Sequence, residues 1–140
     1  MARPGYSLGT KAGGGGQVKS LIVTLTSFTL EAFAAGTMAI KMPESGKIIG
    51  IDLSVGARGG THSTSTVDVL EGATSLLAAV FDVAALTPLT AVAKEGAALA
   101  AAADVVAKDA EINITAAESG GTNPTWGRVN VQIDYVPVGD

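Results

Sequence analysis

The chain has 140 residues, the size of one domain, and a compact chain of that size buries roughly 68% of the surface its unfolded form exposes. It has no cysteine and one histidine, His62, which excludes a disulfide framework, a thiolate metal site, a cysteine nucleophile and a His-rich metal cluster. With 18 glycines, 24 alanines, six aromatic residues and a net charge of −4, it fits neither an ordinary enzyme core nor a phosphate-neutralising nucleic-acid module.

The mean hydropathy of +0.39 raises the question of a membrane. The longest charge-free apolar stretches, Ser20–Leu30 and Val83–Ala93, are eleven residues each, and a membrane helix needs about 20. Lys19, the run Leu21–Leu30 and Ala32-Phe33-Ala34 together imitate an export signal. The interleaved Thr24, Thr26 and Thr29 suit a strand better, so no membrane partner and no cleaved leader are expected.

In chain order, residues 1–19 read as an extended Gly-rich arm. Gly13–Gly16 is a flexible tether, not a phosphate loop, because Gln17-Val18 follows where Lys-Ser/Thr is needed. A partner chain is expected to order this arm through Arg3, Tyr6, Leu8, Lys11 and Lys19. Residues 20–137 read as an antiparallel β-sandwich. Leu21, Val23 and Leu25 alternate with threonines, and a change of parity at Phe28 predicts a bulge or bend near Ser27. Met38, Ile40 and Met42 alternate up to the turn Pro43-Glu44-Ser45-Gly46. Ile49, Ile51, Leu53 and Val55 make a half-buried strand. Val67 and Val69 follow, and Glu71-Gly72 turns the chain into a hairpin whose return strand carries Leu77, Ala79 and Phe81.

Ala84–Lys108 supports two readings, a strand or a short helix on a loop. Ala97–Ala103 favours helix, whereas Pro88, Gly96, Val105 and Val106 weaken it. Its small-residue surface is expected to pack against a sister subunit. Ile112 and Ile114 then alternate, Glu118–Thr125 reads as a long loop, and Val129, Val131, Ile133 and Tyr135 mark one face of the last strand. Turn signals every ten to fourteen residues or so match a sandwich.

The residues capable of chemistry do not assemble by spacing. His62, with Ser63, Ser65 and Asp68 nearby, lacks a nucleophile elbow, and Gly/Ser/Thr around a single His is ordinary loop chemistry. Asp104, Asp109 and Glu111 around Lys108 read as a solvated turn. Glycosidase carboxylates need a sugar cleft, usually with aromatic walls, and no calcium loop is present. Asn113-Ile114-Thr115 is a glycosylation sequon by chance. Trp126, after Asn123-Pro124-Thr125, is either an interface residue or a plug at one end of the sandwich. No catalytic residue, cofactor or metal is expected.

The run Gly46-Lys47-Ile48-Ile49-Gly50-Ile51-Asp52-Leu53-Ser54-Val55-Gly56, the hairpin Ser65–Leu77, and Val106–Ile114 before the final strand resemble the small β-sandwich proteins that decorate tailed-phage heads, the capsid decoration, cement or head-fibre group. The likeness spans Ala35–Val136 and departs at Lys108-Asp109-Ala110, where the group shows a Gly-Asp turn. It implies a jelly-roll-like all-β fold and a homotrimer on the major capsid protein. It also implies a place on the outer surface of a virion assembled in the host cytoplasm, and no catalysis. The absence of cysteine suits assembly in a reducing cytosol. The alternative is a receptor- or carbohydrate-binding β-sandwich of a phage tail or cell surface.

Overall fold

The computed structural model describes residues 17–29 and 37–139. The chain is all-β, with two antiparallel sheets stacked as a sandwich. Its strands are β1 (Lys19–Thr29), β2 (Thr37–Lys41), β3 (Gly46–Val55), β4 (Arg58–Thr61), β5 (Thr64–Glu71), β6 (Thr74–Ser75), β7 (Phe81–Asp82), β8 (Val92–Glu95), β9 (Glu111–Ser119) and β10 (Thr122–Pro137). One sheet has the order β1-β10-β3-β8, with β4 also on β10. The other has the order β2-β9-β5-β6, with β7 also on β5.

The pairing is nested. β1 pairs with β10, β2 with β9, β3 with β8, and β5 with the broken strand β6 and β7. First thus meets last, second meets next-to-last, and so inward, which is the double-sheet jelly-roll arrangement. The alternation read from the sequence becomes burial except at Ile49, where a register shift against β10 buries Ile48 instead and leaves Ile49 half-buried. Ile51, Leu53 and Val55 of β3 and Val129, Val131 and Ile133 of β10 are fully buried from one sheet. Val67, Val69, Ile112, Ile114 and Ala116 meet them from the other. The two inner faces interdigitate as sandwich cores do, and Met42, Phe81 and Val106 close the ends.

Four local expectations are corrected. First, the β1–β10 register runs unshifted from Lys19↔Tyr135 to Thr29↔Thr125, with no bulge at Ser27. Second, Glu118–Thr125 is a tight hairpin. Gly120 and Gly121 have φ of 75° and 81°, the left-handed pair that a two-residue hairpin turn needs. At Gly121 a Cβ would also meet the Thr61 carbonyl oxygen. Third, the return strand after Gly72 is only Thr74–Ser75, because Leu76 and Leu77 leave the ladder to enter the core. Fourth, residues 84–108 are neither a long strand nor an α-helix. They form 3-10 turns at Val83–Ala85, Gly96–Ala98 and Ala101–Ala103 around the short β8. Alanine's helix preference is worth little over a few residues, and the buried anchors Leu86, Ala103 and Val106 dictate the path instead.

Candidate functional site

Three groups of polar side chains and one groove are the candidates among the described residues. The first lies at the end of β4. His62 sits between β4 and β5, and its Nδ1 shares a 2.9 Å hydrogen bond with Ser65 Oγ. Ser65 is fully buried, and His62 Nε2 is buried without a partner. Asp68 does not join them. Ser65, Val67 and Val69 point inward along β5, so Asp68 is on the opposite face. There it accepts from the Val69 backbone N–H at 2.8 Å and from the Ser75 hydroxyl at 2.5 Å. The three side chains close in sequence are thus split by strand alternation. The pair that does meet has no carboxylate to orient the imidazole and no exposed hydroxyl.

Arg58 closes the same end of the molecule. Its Nη1 donates to the carbonyls of Val83 at 3.0 Å and Ala84 at 2.6 Å. That satisfies backbone acceptors of the Val83–Ala85 turn, where Asp82 Oδ1 already accepts from the Ala84 N–H at 3.1 Å. Arg58, His62 and Pro88 line a shallow cleft of about 340 Å³. Nη1 of the guanidinium is thus taken up by the protein's own carbonyls. In the sequence Arg58 is a lone charge in a Gly-rich stretch, and nothing there signals that it ties two distant segments together.

The second group, on the outer face of the β1-containing sheet, was not anticipated. Asp52 stands opposite Gln132 in the β3–β10 register, and Gly50 is opposite both Asp134 and Glu95. Asp134 Oδ1 accepts from Ser20 Oγ at 2.6 Å and Gln132 Nε2 at 2.9 Å, while Asp52 Oδ1 is buried without a partner. Burial, and then the negative charges of Asp134 and Glu95, raise the Asp52 pKa above the ordinary carboxylate value. Each of these residues sits on the polar parity of its own strand. Only the pairing register, which joins residues up to 114 positions apart (Ser20 and Asp134), makes them neighbours. No set of side chains among the described residues has the arrangement of a metal site.

The third group is Asp104, Asp109 and Glu111. Asp104 forms an exposed 3.6 Å ion pair with Lys47. Asp109, at φ 66°, is in the turn that Ala110 N–H closes on Ala107 O at 3.1 Å, and Glu111 opens β9. These are turn and surface roles. Asn113 of the sequon donates from Nδ2 to Gly72 O at 2.9 Å.

The alanine-rich segment lines a groove of about 640 Å³, with Ile48, Ile49, Leu99, Ala100 and Ala101 on its walls. Its lining is largely small and apolar, with the Lys47–Asp104 ion pair among the lining residues.

Of the arm residues, Lys19 is the first residue of β1, and its Nζ pairs with Glu44 Oε2 at 2.7 Å. Tyr135 OH donates to the same oxygen at 3.0 Å. Arg3, Tyr6, Leu8 and Lys11 lie outside the described residues. Trp126 is within β10, opposite Phe28 of β1 and Arg58 of β4. No helix among the described residues is long and apolar enough to cross a membrane.

No family model and no curated protein sequence matches the chain. Among solved structures, it resembles a chain from the structure of infectious bursal disease virus Gx strain, with 14% identity and a TM-score of 0.34. The likeness covers 89% of this chain and 33% of the viral one, so the chain spans about a third of that protein's length. It also resembles a chain described under "Bacillus endospore appendages form a novel family of disulfide-linked pili". There the identity is 16% and the TM-score 0.32, with 94% of this chain and 98% of the other covered.

Proposed function

We propose that the protein is a structural, non-enzymatic jelly-roll domain that binds the outer surface of an assembled tailed-phage capsid and stabilises it. The observation that carries this reading is the nested strand order, in which β1, the strand following the N-terminal arm, lies at the edge of its sheet. Residues that precede an edge strand leave the domain at its rim. They do not have to cross the core to reach a neighbouring surface. The motifs of Ala35–Val136 that resemble decoration proteins support the same reading.

The mechanism is binding. A domain this small has limited area to offer, while specific interfaces bury roughly 1,200–2,000 Å² in total. An arm carrying Arg3, Tyr6, Leu8 and Lys11 adds contacts outside the globular footprint and raises the effective concentration of the second contact once the first is made. Because only the assembled shell presents the full site, binding stabilises that shell by mass action.

The truncation that tests this removes residues 1–16 and retains Lys19 and Ser20, whose contacts to Glu44 and Asp134 belong to the sandwich. The truncated protein is expected to keep its thermal transition and to lose co-sedimentation with capsids assembled from the major capsid protein. Undiminished binding by the truncated protein overturns the role of the arm. Absence of binding by the full chain overturns the proposed function.

A further inference from the structure

We infer that β1 is an interface strand. It pairs antiparallel with β1 of a second copy about a twofold axis through Ile22, extending the sheet across two molecules. This goes beyond the proposed function and does not depend on it.

The argument starts from the edges of the two sheets. Among the described residues, β1 hydrogen-bonds to β10 on one side only. It is 11 residues long, whereas the other strands paired on one side only, β8, β4, β2, β6 and β7, have 4, 4, 5, 2 and 2 residues. Proteins protect edges by keeping them short, by placing charge or proline on them, or by bulging them. These short strands follow that rule, and β8 carries Lys94 and Glu95 as well. β1 follows none of it. Ser20–Thr29 contains no charge and no proline, the register against β10 has no bulge, and Leu21–Phe28 is dominated by residues with high strand preference. Left open, such a strand is a template for uncontrolled pairing.

The side chains specify a second copy. Inward, Val23 is buried and Leu21 partly buried. Outward, Ser20, Ile22 and Thr24 are exposed, and Ile22 is 66% accessible. A twofold axis through Ile22 places Ile22 opposite itself, Leu21 opposite Val23, Ser20 opposite Thr24, and Lys19 opposite Leu25. On the inner face Leu21 and Val23 then meet each other, hydroxyls meet hydroxyls, and the two exposed isoleucines cover each other at the short distance of a cross-strand pair. The single charge at the strand's start does not meet its copy. Six residue steps hold the two Lys19 side chains about 20 Å apart. A self-complementary surface of this kind joins copies two by two, whereas the threefold association implied by the family resemblance needs a different surface.

The absence of cysteine makes the test direct. Ile22→Cys is expected to form a disulfide between two copies under mild oxidation, because directly opposed strand residues have the Cα separation a disulfide requires. Leu89→Cys, on the still more exposed turn after β7, is the control and is expected to stay monomeric on a non-reducing gel. By light scattering the full-length wild-type chain is expected at twice its chain mass, or an even multiple of it. Ile22→Lys, which sets two like charges opposite each other at an exposed position, is expected to halve that mass with its circular dichroism unchanged. A wild-type monomer or trimer, a mass unaffected by Ile22→Lys, or equal cross-linking of the two cysteine variants overturns the inference.

Discussion

Leu89 combines two costs at one residue. Its φ is 66°, the left-handed region that disfavours a branched side chain, and it is 84% exposed. The position is imposed by its neighbours. Leu89 N–H donates to Val55 O at 2.7 Å, and Thr90 N–H closes the turn on Thr87 O at 3.3 Å. Pro88 occupies the preceding turn position, which puts Leu89 where such turns usually carry glycine. Leu89→Gly removes the backbone strain and loses no burial, although it enlarges the entropy of the unfolded chain. The net expectation is a gain of roughly 0.5 kcal/mol, read as a small rise in melting temperature. A loss of stability instead would mean that the leucine packs against something in solution.

At the scale of the element, the outer face of β3 and β10 sets a pH dependence. The Asp52 pKa is raised in the folded protein, chiefly by burial and then by Asp134 and Glu95, so the folded state binds this proton more tightly than the unfolded state does. The stabilisation from holding it is present below the unfolded pKa. It is lost as pH rises through the folded value, so above that value the charged Asp52 opposes folding. Asp52→Asn keeps the shape, removes the charge and supplies a donor beside Asp134. We expect it to raise the melting temperature at pH 7, with the advantage shrinking as pH falls through the carboxylate range. A melting series from pH 7 to pH 3 reads this, and a gain independent of pH would rule out the electrostatic cause.

The elements also differ in how far they were legible. β3, β5, β9 and β10 were readable because each buries one face. Alternation is then a direct image of inside and outside, as with Val129, Val131 and Ile133. The Gly120-Gly121 hairpin was readable in principle from its glycine pair, but the polar residues around it read as loop. The segment 84–108 was not legible. Its alanines carry a helical preference that acts locally, while its course is decided by contacts such as the bridges Leu77↔Leu99 and Gly46↔Val106. The polar groups of the candidate site were equally hidden. Spacing placed Asp68 beside His62, and pleating put them on opposite faces of the sheet.

On the scale of the whole molecule, stability resides in contacts between distant parts of the chain. Lys19 pairs with Tyr135, and Thr37 with Thr115, so the sheets close only after most of the chain has been brought together. Ile133 is fully buried, opposite Leu21 of β1 and Ile51 of β3. Ile133→Ala is expected to cost about 2–5 kcal/mol through lost burial and the cavity left behind, measured by denaturant unfolding. A cost near zero would contradict a core formed between the inner faces of the two sheets.

The sequence by itself determined that this is a cysteine-free all-β domain, with its strands largely where alternation places them, because burying one face of a strand leaves a period of two in the residues. Which strands become neighbours was decided only in the tertiary structure, since hydrogen-bonded pairing is blind to distance along the chain and has no local signature. That decision groups Asp52, Asp134 and Glu95, separates Asp68 from His62, and leaves β1 as the one long edge among the described strands.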